Sequence, residues 1–442
     1  MNDVSVKNDV LINDDVSVKN DVLINDVTFA VIVSKGFERV AVQQLREIIG
    51  IKNLKDITVE ETIVLFKLNS SKSDSQNSFD DVFKFIYMSQ ISHRVILLID
   101  KIEFTGEDSL LKNIGRNLSN NGFLKEQLTR GVDGFRVSVK MEEHMDVTSL
   151  EADIGGVILD YARDFSDSGT ELKVNLKNPS MKFYVYILSS AVLSSARQDT
   201  DVNTAYFGID FSEDLTKRDY RVFNNAVSLK GPTAFGLLML AGYIPKEKYL
   251  NPSCYSGTLE IEAALYSTKT SHRYYNKSFP FMKFFDCDWD KFFKGIDAER
   301  VEKSGGKTSN FSITGSDPLL SSITAAGKNA KIAGMESFVE FRRVDLDWMD
   351  IKFVEKSIDR IVSFIPGSSK HDKNLVKGFK QLFYHAEYIL KDSGVAVIMC
   401  LSKDLLIDAS KEYLDLDREL SVRSGGQLMY VLFFKKKFQE KI

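Results

Sequence analysis

The sequence predicts an α/β protein: a mostly parallel sheet covered by helices on both faces, with two smaller α+β units ahead of it. Three observations carry that reading. The 442 residues exceed what one ordinary core accommodates, so two or three domains are expected. From about residue 248 onward strand-like and helix-like segments alternate, the pattern of a parallel sheet whose crossovers are helices. Residues 250–264, LNPSCYSGTLEIEAA, run from a strand end through a small-residue turn into a helix, which can present backbone N–H groups to the polar end of a ligand.

Composition narrows the class. The hydrophobic fraction of 43% and charged fraction of 27% are those of a soluble globular protein. No apolar run reaches the roughly 20 residues that cross a bilayer, and the start MNDVSVKNDV has neither a basic nor an apolar leader region. A cytoplasmic protein without a membrane partner is expected. Cys254, Cys287 and Cys400 stand singly, and the five histidines form no ligand spacing with them, so neither disulfides nor a metal site are expected. With 58 basic against 62 acidic residues the net charge is −4, and any contact with nucleic acid has to come from a local patch.

In chain order, residues 3–14 recur unchanged at 15–26. A short period without turn chemistry reads as a duplicated, disordered tail over 1–26, or as a short added strand, rather than a solenoid. FAVIV is then a strand, and Lys35-Gly36-Phe37-Glu38 opens a helix with Val40, Ala41, Leu45 and Ile48 on one face. DITVEETIVLFKL reads as two strands, Asn69 to Asn77 as a loop, SFDDVFKFIYMS as a helix and HRVILLIDKI as a strand. These make a first unit over 27–105.

A second unit over 106–212 contains the alternating strand FRVSVKM, a helix from Thr148 to Tyr161, and VNLKNPSMKFYVYIL as strand, turn and strand. YFGIDFS leads into Lys217-Arg218-Asp219-Tyr220-Arg221, the densest basic cluster containing an aromatic. A helix over Ser228 to Gly242 opens the third unit, 213–442. Its strands read FSITGSD, FVEFRRVD, DRIVSFIPG, GVAVIMCL and LMYVLFFKKK. Phe279-Pro280-Phe281 and Trp289 are expected to pack in the core. Lys435-Lys436-Lys437 is expected to protect a sheet edge by charge.

From Phe29 to the C-terminus the ordered motifs resemble the THUMP-domain RNA methyltransferases, a family that includes guanine-N2 methylases of tRNA and ribosomal RNA. SKGFERVAVQQLREI resembles the family's ferredoxin-like unit, FRVSVKMEEHMDVTSLEADIGGVI with VNLKNPSMKFYVYI its THUMP domain, and GIDFSEDLTKRDYR its exit signature. LNPSCYSGTLEIEAA matches the cofactor loop DPxCGSGTxxIEAA, while ITGSDP and VDLDWMD match the acidic ends of the next two strands.

The resemblance implies a Rossmann-like domain with a mostly parallel seven-stranded sheet that binds S-adenosylmethionine (SAM). It implies cofactor contacts at Asn251, Cys254, Ser256, Gly257, Thr258, Asp317 and Asp345. Asp317 would take the ribose hydroxyls and Asp345 the adenine amine, both suited to an acceptor-only carboxylate. From the residues alone, Asp317 capping the next helix and Asp345 merely ending a strand are equally good readings. RNA, above all the single-stranded 3′ end of tRNA and not DNA, would meet Lys177, Asn178, Lys217, Arg218, Tyr220 and Arg221, which otherwise read as a solvated basic edge.

Two places depart from the pattern. Asn251 replaces an aspartate and Tyr255 a glycine in the cofactor loop, and both changes weaken cofactor binding in expectation. At the fourth strand the family's NPPY becomes Phe364-Ile365-Pro366-Gly367, preceded by Ser363. Phe364 offers no side-chain acceptor for a base amine and Gly367 no ring to stack on it. The backbone carbonyls of Phe364 and Ile365, or Ser363, Ser368, Ser369 and His371, are the available substitutes. Two functions stay open: a SAM-dependent methyltransferase acting on guanine N2 in tRNA, and a catalytically inactive RNA-binding protein, perhaps with a protein partner, whose methyltransferase fold is structural. A third reading, a nicotinamide dehydrogenase, is disfavoured by the missing G-x-G-x-x-G at the first strand.

Overall fold

The structure is a computed structural model. It describes residues 27–69, 79–119, 121–130, 132, 134–141, 147–163, 172–189, 202–224, 228–301, 312–366, 373–424 and 426–437. The duplicated segment, positions 70–77 of the expected loop, and Gly367, Ser368, Ser369 and His371 lie outside the described residues.

Eight strands form the front sheet: β1 (Thr28–Ile32), β2 (Leu54–Glu60), β3 (Ile63–Leu68), β4 (Arg94–Phe104), β5 (Gly134–Met141), β6 (Lys173–Val174), β7 (Met181–Leu188) and β8 (Asn203–Asp210). Their order is β2-β3-β1-β4-β8-β7-β5-β6. β4 pairs antiparallel with β8, Ile96 opposite Asp210 and Phe104 opposite Asn203, so segments from both sides of position 105 share one hydrogen-bonded sheet. β5 is parallel to β7 and β6, and the other pairings are antiparallel.

The second sheet has seven strands: β9 (Lys248–Asn251), β10 (Ser312–Asp317), β11 (Val339–Arg343), β12 (Ile358–Ile365), β13 (Leu390–Cys400), β14 (Leu414–Ser424) and β15 (Gln427–Lys436). The order is β11-β10-β9-β12-β13-β15-β14. The first five are parallel, and β15 runs antiparallel to both neighbours. The order in which successive strands are laid down reverses at β9, with β10 on one side and β12 on the other, and in such sheets a ligand crevice opens above the carboxyl ends of those strands. No described helix is long and apolar enough to cross a membrane.

Helices form where apolar spacing matches the helical period. Glu38–Ile48 buries Val40, Ala41, Val42 and Leu45. Glu107–Leu118 buries Leu110, Ile114 and Leu118, one residue per turn, behind an acidic first turn of Glu107 and Asp108 that favours the helix dipole.

Aromatic packing joins the front sheet to the second half. Phe83, fully buried on the helix Asp80–Met88, stacks on Phe281 at 4.3 Å between ring centres and meets Phe285 at 5.0 Å. Phe79 contacts Phe285 at 5.1 Å, and Phe211, just past β8, contacts Phe123, Phe284 and Phe285. The Phe279–Trp289 segment is therefore the hydrophobic seam between the halves, each ring pair adding directional preference to burial. Phe83→Ala is expected to cost about 3–5 kcal/mol, read by chemical denaturation; a loss below about 1 kcal/mol would mean that the seam is not packed as described.

Candidate active site

β9 ends at Asn251, which is almost fully buried and whose side-chain oxygen accepts from the Ser253 N–H at 3.0 Å, turning the chain out of the sheet. The loop then docks on β10, the Cys254 N–H donating to the Ser316 carbonyl at 2.9 Å. Tyr255 holds a left-handed backbone, φ +49°, at the place the resemblance reserves for glycine; its N–H donates to Asp317 Oδ2 at 3.2 Å. Such a conformation costs a non-glycine residue roughly 1–2 kcal/mol. Gly257, φ +79°, is a different case. A Cβ there would lie 2.9 Å from both Ala326 and Phe341, so glycine is required by space as well as by conformation.

The helix Thr258–Ser267 starts directly after Gly257 without a side-chain cap, leaving its N-terminal dipole for a ligand. The Thr258 hydroxyl is buried and has no partner. On the other side of the crevice, Asp317 ends β10; its Oδ1 accepts from the Leu319 N–H at 2.9 Å. Its carbonyl accepts from the Val344 N–H at 3.2 Å, which sets Asp345, one residue further on, beside it. Asp345 is exposed and its side chain does not cap the short turn Leu346–Trp348 that it precedes. Asp317 thus holds its own turn and the cofactor loop at once, while Asp345 does no capping.

Phe364, near the end of β12, lines one small cleft together with Asn251, Tyr255 and Thr258, so the loop and the fourth strand face each other. Phe364 is buried, Ile365 and Pro366 are half-buried, and the Ser363 hydroxyl is buried without a partner. Ser228 and Leu229 also line this cleft, and the segment 221–224 is tied to its loop. Asn329 pins it by donating to the Phe223 carbonyl at 2.9 Å and to the Ser256 carbonyl at 3.0 Å, and Ser228 meets Ser256 at 2.6 Å. Asn329 sits in the helix Leu320–Ile332, fully buried, and the sequence reading passed over it; a buried polar residue inside an Ala- and Gly-rich helix was the available signal.

The basic cluster after β8 divides. Lys217 is exposed and Arg221 half-buried, whereas Arg218 and Tyr220 are buried and present neither charge nor ring to the surface. Arg218 Nε donates to Glu262 Oε1 at 2.6 Å, with both side chains fully enclosed, and its Nη2 donates to the Gln90 carbonyl at 2.7 Å. Glu262 also accepts from Tyr220 Oη at 2.7 Å and Gln90 Nε2 at 2.7 Å. Arg218 and Tyr220, expected at an RNA contact, are instead spent on an internal network, because two buried hydrogen-bonding partners and a carboxylate are closer to them than solvent. Lys177 and Asn178 are exposed on the turn between β6 and β7, where Lys283 donates to the Pro179 carbonyl at 2.8 Å.

One further carboxylate stands in the site. Glu260, fully buried in the first turn of the helix Thr258–Ser267, makes no hydrogen bond of ordinary geometry on either oxygen, and burial, against the weaker opposing effect of the neighbouring Asn251 amide, pushes its pKa up to about 8.

The donor set fits SAM: a carboxylate beside a turn for ribose hydroxyls, a second exposed carboxylate for an amine, and an uncapped helix start with an orphaned hydroxyl for the amino-acid end. Tyr255 and Phe364 both line the cleft beside this donor set. Among the described residues no group of His, Cys, Asp or Glu has the arrangement of a metal site.

Comparison with known proteins defines the class. Residues 218–427 match the family model described as UPF0020, RMKL-like, methyltransferase domain. Over 415 residues the chain is 24% identical to the tRNA (guanine(6)-N2)-methyltransferase of Methanocaldococcus jannaschii, covering 92% of this chain and 99% of that one. The fold is shared with a possible methylase from Clostridium difficile 630 at a TM-score of 0.71 and 19% identity, covering 94% of this chain and 100% of that one. It is also shared with SMU.472, solved as a complex with SAH, at a TM-score of 0.68 and 17% identity, covering 94% and 99%.

Truncating Arg218 to Ala strands Glu262 without its counter-charge and is expected to cost about 3–5 kcal/mol. Lys217→Ala is expected to stay within about 0.5 kcal/mol. Equal effects in denaturant titrations would contradict the division of the cluster.

Proposed function

We propose that this chain is a SAM-dependent RNA methyltransferase acting on tRNA, with a guanine N2 as methyl acceptor. The observation that carries the proposal is the extent of the likeness to a tRNA guanine-N2 methyltransferase: it runs through the front sheet and the methyltransferase domain together, not through the catalytic fold alone. SAM supplies a methyl group on a positively charged sulfur.

In this reading Asp317 accepts from the ribose hydroxyls, Asp345 from the adenine amine, and the N–H groups after Gly257 with Thr258 receive the methionine carboxylate. Asn251, Cys254 and Ser256 shape the loop around that end. Residues 27–105 act as a ferredoxin-like unit and 106–212 as a THUMP domain, together holding the 3′ end of tRNA against Lys177, Asn178, Lys217 and Arg221. Residues 213–442 carry the chemistry, in the cytoplasm.

A guanine amine is a poor nucleophile because its lone pair is delocalised into the ring, so the site has to accept its N–H hydrogen bonds and hold it in line with the methyl group. The backbone carbonyls of Phe364 and Ile365 take that role here, and the missing side-chain acceptor slows turnover by on the order of a hundredfold relative to a complete motif. The buried Phe364 also favours a second reading, an RNA-binding protein without catalysis.

Calorimetry with SAM and transfer of labelled methyl groups to tRNA separate the two. Micromolar SAM binding and label in tRNA are expected, and Phe364→Asn is expected to raise transfer by about tenfold or more. Absence of heat at millimolar SAM, with tRNA still retained in a filter assay, would leave the second reading.

A further inference from the structure

The buried carboxylate of Glu260 has no function in the account so far. A fully enclosed carboxylate with two unpartnered oxygens is costly, and it normally either finds a counter-charge or stays protonated. Its location is specific. Gly315 on β10 pairs in register with Asn251 on β9, and a Cβ on Gly315 would come within 2.9 Å of Glu260 Oε1. The carboxylate therefore occupies the space over Gly315, directly beside Asn251, at the base of the cofactor loop. The Cys254 Cβ lines the same space.

The titratable groups facing it are Tyr249 on β9, Cys254 in the loop and Asp317 on β10. None of them is a cation, and the Asn251 amide eases its ionisation without outweighing burial. The loop has also lost the aspartate that its motif carries at position 251. A charge missing at 251 and an unpaired carboxyl next to it at 260 are complementary facts.

We propose that Glu260 is a positioning residue that holds the loop's negative charge in reserve. It is protonated in the free protein and ionises when the cationic methionine end of SAM settles against Asn251, so that binding releases a proton. The inference rests on the SAM-binding reading above. The Glu260 O–H bond breaks, the proton leaves to solvent, and the carboxylate is stabilised through the Asn251 amide by the ligand's positive charge. The sign follows from linkage: a ligand that favours the deprotonated form binds more tightly as pH rises, until pH passes the free protein's value of about 8.

The test is calorimetry of SAM with the full chain in buffers of different ionisation enthalpy near pH 7, which counts protons released on binding. Affinity is measured in parallel between about pH 6 and about pH 8, over which it is expected to rise on the order of tenfold or more in the wild type. The α-amino group of SAM titrates in the same range, but equally for every variant, so the difference between variants isolates Glu260. Glu260→Gln is expected to abolish the extra proton release and flatten the affinity profile. Thermal unfolding serves as the folding control, in which this variant gains over the wild type as pH rises.

The double variant Asn251→Asp with Glu260→Gln returns the charge to its motif position and is expected to bind SAM at least as tightly as the wild type without the extra proton. Binding with equal proton release in the wild type and Glu260→Gln would overturn this inference and leave the SAM reading intact. Absence of SAM binding by the wild type throughout the pH range would overturn both.

Discussion

The ion pair of Arg218 and Glu262 is the interaction on which the arrangement of the whole chain depends. Both side chains are enclosed, and their polar contacts join separate parts of the chain: Gln90 just after the helix Asp80–Met88, Leu215 and Tyr220 at the exit of the front sheet, His272 further along, and Glu262 in the helix that follows the cofactor loop. Gln90 is itself held by Gln44 of the helix Glu38–Ile48, through its N–H at 3.1 Å. Burying two charges gains little net stability, because desolvation offsets attraction. What the pair supplies is geometry, since any displacement of the helix Thr258–Ser267 relative to the front sheet would leave a charge without a partner. The aromatic seam at Phe83 and Phe281 supplies the apolar burial that holds the two halves together while the network sets their register.

That register bears directly on the site. Glu262 lies one turn along the helix from Thr258, so the network fixes the helix start, and with it Gly257 and the loop that Asp317 holds from β10. The departures from the family pattern then fall into two kinds. Asn251 and Glu260 exchange the position of a charge within one small volume, which leaves the electrostatics of the loop recoverable. Tyr255 and Phe364 instead put bulk into the small cleft that they line together.

Much of the fold was legible because periodicity and turn chemistry agree. Five of the seven strands of the second sheet read directly as short apolar runs, and β9 declared itself through the turn that follows. β14 did not: Leu414–Ser424 exposes seven consecutive residues and alternates charge with leucine, since it is an edge strand buried only at its ends. The helices Glu107–Leu118 and Gly122–Thr129 were passed over, although Leu110, Ile114 and Leu118 carry the helical period. At the site, motif spacing singled out a loop and two strand-end carboxylates, and the structure brings these close together at the ends of β9 and β10. The sequence reading placed Arg218 and Tyr220 at the surface, because a run of basic residues with an aromatic looks the same whether it faces solvent or a buried glutamate 44 and 42 positions away. Glu260 escaped notice for a related reason: charge on a helix is read as exposed unless the fold shows otherwise.

The most direct test of this account is native-state hydrogen exchange followed by mass spectrometry on the wild type and on Glu262→Gln. If the buried network locks the front sheet to the helix behind the cofactor loop, amides in 89–97 and in 258–267 open with a common free energy in the wild type and lose protection together in the variant. Loss of protection confined to 258–267, with 89–97 unchanged, would contradict it.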